Sequence, residues 1–143
     1  MCKRAPKQNN ISLVGGIRST EMCALYAYDG PVNGPRFMAF LNEHLIPRLK
    51  EGDVIVMDNL RVHHIPEVKE VLERVGARPL YLPPYSPERN PIEESWSLIK
   101  NIFRSAEART IPEFVHTMKT AQLAVTEQKI SGYFKHAGYP LPA

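Results

Sequence analysis

The chain has 143 residues, 43% of them hydrophobic, and a formal net charge of +3. That length predicts one domain, and no run of residues approaches the roughly 18 apolar residues of a membrane span. Lys3, Arg4 and Lys7 are not followed by an apolar segment, so no secretory signal peptide is predicted. A mild positive charge permits nucleic-acid binding but does not argue for it.

The first third of the chain predicts a basic start followed by a hairpin. Residues 1–9 are polar and basic without periodicity, which fits either a disordered tail or a loop of a longer protein. The segments 11–17 and 22–28 predict two antiparallel strands, and Gly15-Gly16 is expected either to weaken the first strand or to form a bulge in it. Cys2 and Cys23 have no metal-ligand or disulfide spacing, so both are predicted to be free thiols in a reducing compartment, the cytoplasm.

A helix and then a strand follow the hairpin. Apolar residues between Phe37 and Leu49 recur at helical spacing, and Pro47 is expected to kink or end that helix. The apolar, largely β-branched run Val54–Met57 predicts a strand buried on both faces. Asp58 follows at its carboxyl end, where open α/β sheets usually place ligands. The alternative is that Asp58 only begins an Asx turn with Asn59.

The next elements are a helix that begins at Pro66 and ends at Gly76, and a short strand over residues 79–82. A proline-rich loop, residues 82–87, leads to another helix. Asn90 is a good N-cap for it, with Glu93 three residues later. Glu93 therefore has a structural alternative, because its carboxylate could reach back to the Asn90 N–H in a capping box.

The helix after Asn90 has two distinct faces. Its apolar stripe consists of Ile92, Trp96, Ile99 and Phe103. Glu93 and Lys100 lie on the neighbouring stripe, either as a solvated pair or as a metal ligand beside a phosphate contact. Residues 111–124 and 126–134 predict two C-terminal helices, so the whole pattern is α/β.

Several of these motifs together resemble the catalytic core of DDE-superfamily transposases, in particular the mariner-like insertion-sequence branch. The resemblance is carried by Asp58-Asn59 after an apolar strand, and by Leu-Pro-Pro-Tyr-Ser-Pro leading to Asn-Pro-Ile-Glu over residues 82–93. The spacing also matches, since thirty-four residues separate Asp58 from Glu93. His63, Lys100 and the segment 133–139 match further positions of the family.

The resemblance implies a ribonuclease-H-like mixed sheet flanked by helices, in one partial domain over residues 1–143. The family's first and central strand, which carries the first catalytic Asp, has no counterpart here, so the chain is expected to lack it. The chain has two other Asp residues. Asp53 is at the wrong end of its strand, and Asp29 is expected roughly 10–14 Å away, too far to substitute.

The activity implied by the resemblance is metal-dependent cleavage of DNA at transposon ends, followed by strand transfer to target DNA. Asp58 and Glu93 would be the catalytic residues and the ligands of Mg²⁺ or Mn²⁺, with two ions in a complete site. Lys100, Arg104 and His63 would contact DNA, although a satisfied surface histidine is an alternative for His63. DNA binding is expected to be weak, sequence-indifferent and salt-sensitive.

Three functions stay open at this point. The first is a transposase catalytic domain made active by an upstream polypeptide or a longer reading frame that supplies the missing strand and Asp; such a domain could form a homo-oligomer. Alternatively, it is an inactive remnant that binds DNA or full-length transposase without cutting. The third possibility is a folded domain reused for interaction. Because one carboxylate is missing, the chain alone is expected not to cut DNA.

Overall fold

The computed structural model describes residues 4–7, 10–84 and 86–139. The described chain begins with an antiparallel hairpin, β1 (Ile11–Ile17) and β2 (Met22–Asp29). The register shifts between Gly16 and Ile17, which confirms the irregularity predicted for the two glycines. Alternate side chains of β2 are buried on opposite faces, so the hairpin separates two layers of the molecule.

A short helical segment follows the hairpin and ends, as predicted, near Pro47. It consists of α1 (Gly34–Phe40), a π-helical turn (Leu41–Leu45) and a 3₁₀ turn (Ile46–Arg48). Asn33 caps α1, because its side-chain oxygen accepts the Arg36 N–H at 3.0 Å. The π-helical turn has no signature in the sequence.

A parallel β-α-β unit comes next. It consists of β3 (Val54–Met57), α2 (Pro66–Arg74) and β4 (Arg78–Tyr81), and the two strands pair in parallel. Gly76 adopts a φ of +76°, which lets the chain turn from α2 into β4.

Three helices complete the described chain. A 3₁₀ turn (Pro91–Glu94) leads into α3 (Ser95–Ala106), which is followed by α4 (Ile111–Ala124) and α5 (Glu127–His136). Thr110 and Thr126 cap α4 and α5 through their hydroxyl oxygens. The two predicted C-terminal helices are therefore present.

Two hydrophobic cores lie against the hairpin. One is formed with α3, α4 and α5, and its fully buried side chains include Ile99 and Ile130. The other is formed with α1, α2 and β3, and its most buried side chains include Phe40 and Leu72. Trp96, predicted as core, is only half-buried beside the first of these cores.

The predicted mixed α/β class is confirmed, and in the described residues the strands form two separate two-stranded sheets. The prediction that Val54–Met57 is buried on both faces is wrong. Only Met57 is buried, and Val54 is 42% exposed, because the edge of β3 away from β4 has no neighbouring strand in the described chain.

Some predictions fall on residues outside the described ranges. These include most of the basic start (residues 1–3, 8 and 9), Cys2 and Tyr85. Within the described ranges, Arg4 forms an isolated bridge with Thr110, and Cys23 is a buried free thiol. No helix of the described chain is long and apolar enough to cross a membrane.

Candidate active site

Asp58 lies at the carboxyl end of β3, as predicted. The ladder with β4 ends where the Leu82 N–H donates to the Met57 carbonyl at 2.8 Å, and Asp58 is the next residue. Its carboxylate accepts a hydrogen bond from the Asn90 side-chain amide at 3.0 Å. Asp58 therefore does more than begin a turn, because its side chain also accepts a hydrogen bond from a loop 32 residues away.

Asn90 connects the two halves of the site. Its side-chain oxygen accepts the Ile92 N–H at 3.4 Å, which makes it the predicted N-cap, while its amide group donates to Asp58. Its own backbone N–H donates to the Pro87 carbonyl at 3.0 Å. Because the Asn90 N–H already has the Pro87 carbonyl as its acceptor, it does not need the Glu93 carboxylate in a capping box.

Glu93 is brought together with Asp58. Burial raises the pKa of Glu93 to about 7, and the hydrogen bond and negative charge of the Asp58 side chain add to the rise, while Lys100 opposes it. Two carboxyl groups so close cannot both ionise freely at neutral pH. A cation bound between the two carboxyl groups would relieve this repulsion.

His63 is half-buried and bonded to the same turn. Its Nδ1 lies 2.7 Å from the Asp58 carbonyl oxygen; since a carbonyl only accepts, Nδ1 donates and Nε2 is the ring's remaining polar atom. Burial lowers the pKa of His63, opposed by that hydrogen bond. The ring also contacts Phe37, with centroids 4.9 Å apart. His63 therefore fixes the backbone that carries Asp58.

A second histidine, His64, belongs to the same corner, although no role for it could be predicted from the sequence. The His64 ring stacks on Tyr81 with centroids 4.0 Å apart, and its Nε2 contacts the Asn59 side-chain oxygen. The Tyr81 hydroxyl donates to the His63 carbonyl. These contacts hold the turn after β3 against β4. They could be predicted only by knowing that β3 and β4 are neighbours in the sheet.

The basic candidates lie on α3. Lys100 and Arg104 are both exposed, and Lys100 is close enough to lower the pKa of Glu93. Glu94 is exposed, and its carboxylate lies 3.0 Å from His136 Nδ1, a contact that sequence spacing could not reveal. The carboxyl pair thus has a cationic neighbour, Lys100, about two helical turns after Glu93.

The donor set suits a hard cation, because both groups are carboxylates and Mg²⁺ commonly binds one or two carboxylates while keeping several waters. In the described part of the chain, no cluster of three or more His, Cys, Asp or Glu side chains could hold a metal. The other two Asp residues are engaged elsewhere: Asp29 accepts from Asn10 at 2.8 Å, and Asp53 pairs with Arg18.

A cleft of about 750 Å³ extends from this pair between the two sheets. Its walls include all of β3 and residues 13–17 of β1, and Asp58, Glu93 and Trp96 also line it. The candidate site therefore borders an open space within the fold.

A family model described as "DDE superfamily endonuclease" matches residues 2–115. The match includes Asp58, His63, Glu93, Lys100 and Arg104. No curated protein matches the chain.

Proposed function

Because the chain belongs to the DDE superfamily of endonucleases, we propose that Asp58 and Glu93 are its catalytic carboxylates and act on phosphodiester bonds in DNA. The observation that carries this proposal is the carboxyl pair itself. A raised Glu93 pKa, caused by burial and by Asp58, is typical of groups arranged for chemistry rather than for stability.

Mg²⁺ or Mn²⁺ is the proposed cofactor, held by Asp58 and Glu93, with two ions in a complete site. When bound, the metal supplies an activated water and charge stabilisation at the leaving oxygen. Asn90 orients the Asp58 carboxylate through its amide, and the His63 ring holds the Asp58 carbonyl. Such supporting contacts commonly change metal affinity 10–100-fold when they are removed.

The DNA backbone is proposed to lie along α3. Lys100 and Arg104 are one turn apart on the exposed side of this helix, so they can contact successive phosphates of a DNA backbone that passes Glu93. The His63 Nε2 is a further candidate contact. Binding through phosphates carries no base information, which agrees with the sequence-indifferent binding that we expect.

The finer assignment is a transposase of the mariner-like insertion-sequence branch, located in the cytoplasm and acting on transposon ends and target DNA. We propose that the chain is incomplete and that an upstream polypeptide supplies a strand with the first catalytic Asp; a homo-oligomer would be compatible with this arrangement. The support is that, among the described residues, no third acidic side chain joins Asp58 and Glu93.

The same observation favours a second function, an inactive product that binds DNA or full-length transposase without cutting. A nicking assay on terminal-repeat DNA separates the two. We expect no cleavage by this chain alone in Mg²⁺ or Mn²⁺, and cleavage by a version extended upstream. In the extended version, Asp58→Asn and Glu93→Gln should abolish cleavage, and Glu94→Gln, its exposed neighbour, should not.

Two results would contradict the proposal. Metal-dependent nicking by the short chain that Asp58→Ala abolishes would show that the site is complete without an upstream strand. Cleavage by the extended version that survives both Asp58→Asn and Glu93→Gln would place the chemistry elsewhere. An extended version that binds DNA but never cuts supports the second function.

A further inference from the structure

We propose that Arg61 and Arg89, the arginine pair, form a second contact for DNA phosphates, on the other side of the two carboxyl groups from Lys100 and Arg104. The proposed function is the premise of this contact, because the same DNA is held at the same site. The contact adds two residues to which the sequence assigned no role, and it sets a minimum length for the DNA that fills the site.

Both side chains offer a positive charge to solvent. Arg61 and Arg89 are exposed, and within residues 4–7, 10–84 and 86–139 neither guanidinium has an ion pair or a hydrogen bond. Other arginines differ, since Arg18 and Arg48 are each bound to a carboxylate. The arginine pair can therefore bind an anion without first losing an internal partner.

The turn after β3 carries Arg61 and holds it close to Asp58. Arg61 is three residues after Asp58, so their Cα atoms are at most about 10 Å apart. The His63 N–H donates to the Leu60 carbonyl at 3.0 Å, and the His63 ring donates to the Asp58 carbonyl at 2.7 Å. These hydrogen bonds fix the backbone around Arg61 relative to the carboxylate, so only its long side chain has to move to reach a ligand.

Arg89 belongs to a second loop, which is bound to the same carboxylate. It directly precedes Asn90, whose side-chain amide donates to Asp58 at 3.0 Å. The Arg89 N–H donates to the Ser86 carbonyl at 3.1 Å, and the next N–H along the chain donates to the Pro87 carbonyl at 3.0 Å. The two members of the arginine pair therefore come from loops that one hydrogen bond joins beside the catalytic carboxylate.

The cations of α3 lie in the other direction from the carboxyl groups. α3 begins two residues after Glu93 and leads away from Asn90. At about 1.5 Å per residue, Lys100 and Arg104 are roughly 8 and 14 Å along the helix from its start. The arginine pair lies at the opposite end, at the hydrogen bond between Asn90 and Asp58. Positive charge therefore flanks the carboxyl groups on both sides.

A DNA backbone is the anion that fits this arrangement. A phosphodiester that reaches the two carboxyl groups is followed by further phosphates in both directions along its strand, and the carboxylates repel them. Guanidinium groups offset this repulsion, and their fork of donors matches the geometry of phosphate oxygens. The two sides together extend over roughly 25 Å, the length of about seven base pairs at about 3.4 Å each. Shorter DNA reaches one side only.

The salt dependence of DNA binding tests this contact. Each phosphate contact contributes about 0.9 to the slope of log K against log salt concentration for duplex DNA. Fluorescence anisotropy measures this slope for a labelled duplex of about 16 base pairs, which spans both sides, and for a hairpin with a stem of about five base pairs, which spans one. The titrations contain EDTA, so they do not depend on cleavage. Circular dichroism verifies that each variant is folded.

On the long duplex, Arg61→Gln and Arg89→Gln should each lower the slope by about 0.9, and the double variant by about twice that amount. On the hairpin, the double variant should keep the slope of wild type, because α3 alone binds DNA of that length. Arg74→Gln is the matched control and should change neither slope. Arg74 is exposed and ends α2, and the chain then enters β4 beside the beginning of β3, at the opposite end from Asp58. Glu88→Gln removes a negative charge beside Arg89 and should strengthen binding.

Three outcomes would overturn the proposal. Unchanged slopes in both variants of the arginine pair, when Lys100→Gln lowers the slope, would restrict the DNA to α3. An equal loss in Arg74→Gln would show attraction by diffuse positive charge. A double variant whose slope falls as much on the hairpin as on the duplex would show that the two sides do not hold one DNA. None of these outcomes changes the nicking assay on Asp58 and Glu93, so the proposed function is tested separately.

Discussion

At the scale of single residues, the site combines groups that oppose folding. Glu93 and Asp58 are two carboxyl groups held together, and the resulting rise in the Glu93 pKa means that ionising Glu93 destabilises the native chain. Natural proteins tolerate such strain where a ligand or a reaction later relieves it. This cost can be measured without any assay of activity.

Glu93→Gln is expected to stabilise the metal-free chain at pH 8. The pKa of Glu93 rises from its ordinary 4.5 to about 7 on folding, so the native state binds more protons than the unfolded state between those values, and stability falls as pH rises through that window. Glutamine avoids this loss. After discounting for solvent screening of a half-buried group, the gain is about 1 kcal/mol.

Urea denaturation in EDTA at pH 8 and pH 4 measures that difference. At pH 4 both forms are uncharged at this position and should be equally stable. Glu94→Gln serves as the control, because Glu94 is exposed and its carboxylate contacts His136 rather than Asp58. A Glu93→Gln variant that is less stable than wild type at pH 8 would contradict the interaction of Glu93 with Asp58.

Asn90 has two separable contacts, one structural and one directed at Asp58. Asn90→Ser keeps an N-cap for Ile92 but is too short to donate to Asp58, so it should fold normally and bind Mn²⁺ about 10-fold more weakly. Asn90→Ala should weaken Mn²⁺ binding similarly and also cost about 1 kcal/mol of stability.

Isothermal titration calorimetry with Mn²⁺ and urea denaturation separate the two effects. Asn59→Ser is the matched control, since Asn59 contacts His64 rather than the Asp58 carboxylate. Undiminished Mn²⁺ affinity in Asn90→Ser would remove Asn90 from the set of residues that orient Asp58.

At the scale of elements, local signals predicted most of the secondary structure. The strands of the hairpin, α2, α4 and α5 follow from turn residues, proline positions and apolar periodicity, which act within a few residues. The π-helical turn 41–45 and the 3₁₀ turn 91–94 are adjustments to packing and left no sequence pattern. The exposure of Val54 was also unpredictable, since it depends on which strand lies beside β3.

The candidate site likewise has features that local sequence signals predict and others that depend on the folded arrangement. The two carboxylates could be located from their places at a strand end and a helix start. The Asn90–Asp58 and Glu94–His136 contacts join residues 32 and 42 positions apart, and only the folded arrangement of the elements brings these side chains together. The histidine stacking on Tyr81 likewise requires β3 and β4 to be neighbours.

Gly76 is the element boundary most sensitive to substitution. Its φ is +76°, and an added Cβ would lie 2.7 Å from Glu51 Cγ and 3.2 Å from Glu51 Cα. Gly76→Ala should therefore lower the free energy of unfolding by about 1–3 kcal/mol. Gly132→Ala is the opposite case: this glycine lies inside α5 with nothing within 4 Å of an added Cβ.

Gly132→Ala should stabilise by about 0.5–1 kcal/mol, because alanine favours the helix. Thermal or urea denaturation of the two variants measures the contrast. Equal effects of the two substitutions would show that the left-handed conformation of Gly76 does not determine the turn into β4.

At the scale of the whole molecule, the two sheets are linked at one end by a polar junction. Arg18 donates to the Asp53 carboxylate and to the Arg48 carbonyl, and the Lys50 N–H also donates to Asp53 at 2.7 Å. The hydrogen bond from Arg18 lowers the pKa of Asp53 below its ordinary 3.8. This junction fixes the sheets relative to each other while the cleft stays open.

Asp53→Asn is expected to lower stability by about 1 kcal/mol at pH 7, because both hydrogen-bonded donors lose a charged acceptor. A carboxylate with a lowered pKa stabilises the native state above its unfolded pKa, and this contribution is lost as pH falls through the folded value. The difference between wild type and Asp53→Asn should therefore shrink below pH 3.8. Urea denaturation across pH 3–7 tests this, and a constant difference would contradict it.

The outer edges of the two sheets, on β2 and β4, are protected against strand addition, whereas the edges that face the cleft, on β1 and β3, are not. β4 has Pro79, which has no N–H, at a position whose backbone faces away from β3. On β2, the Gln122 amide of α4 donates to the Met22 carbonyl at 2.9 Å. Protection against self-association is thus built into the outside of the molecule. Among the described residues, the cleft-facing edges of β1 and β3 are therefore where strand addition, and with it fibril-like growth, is expected to begin.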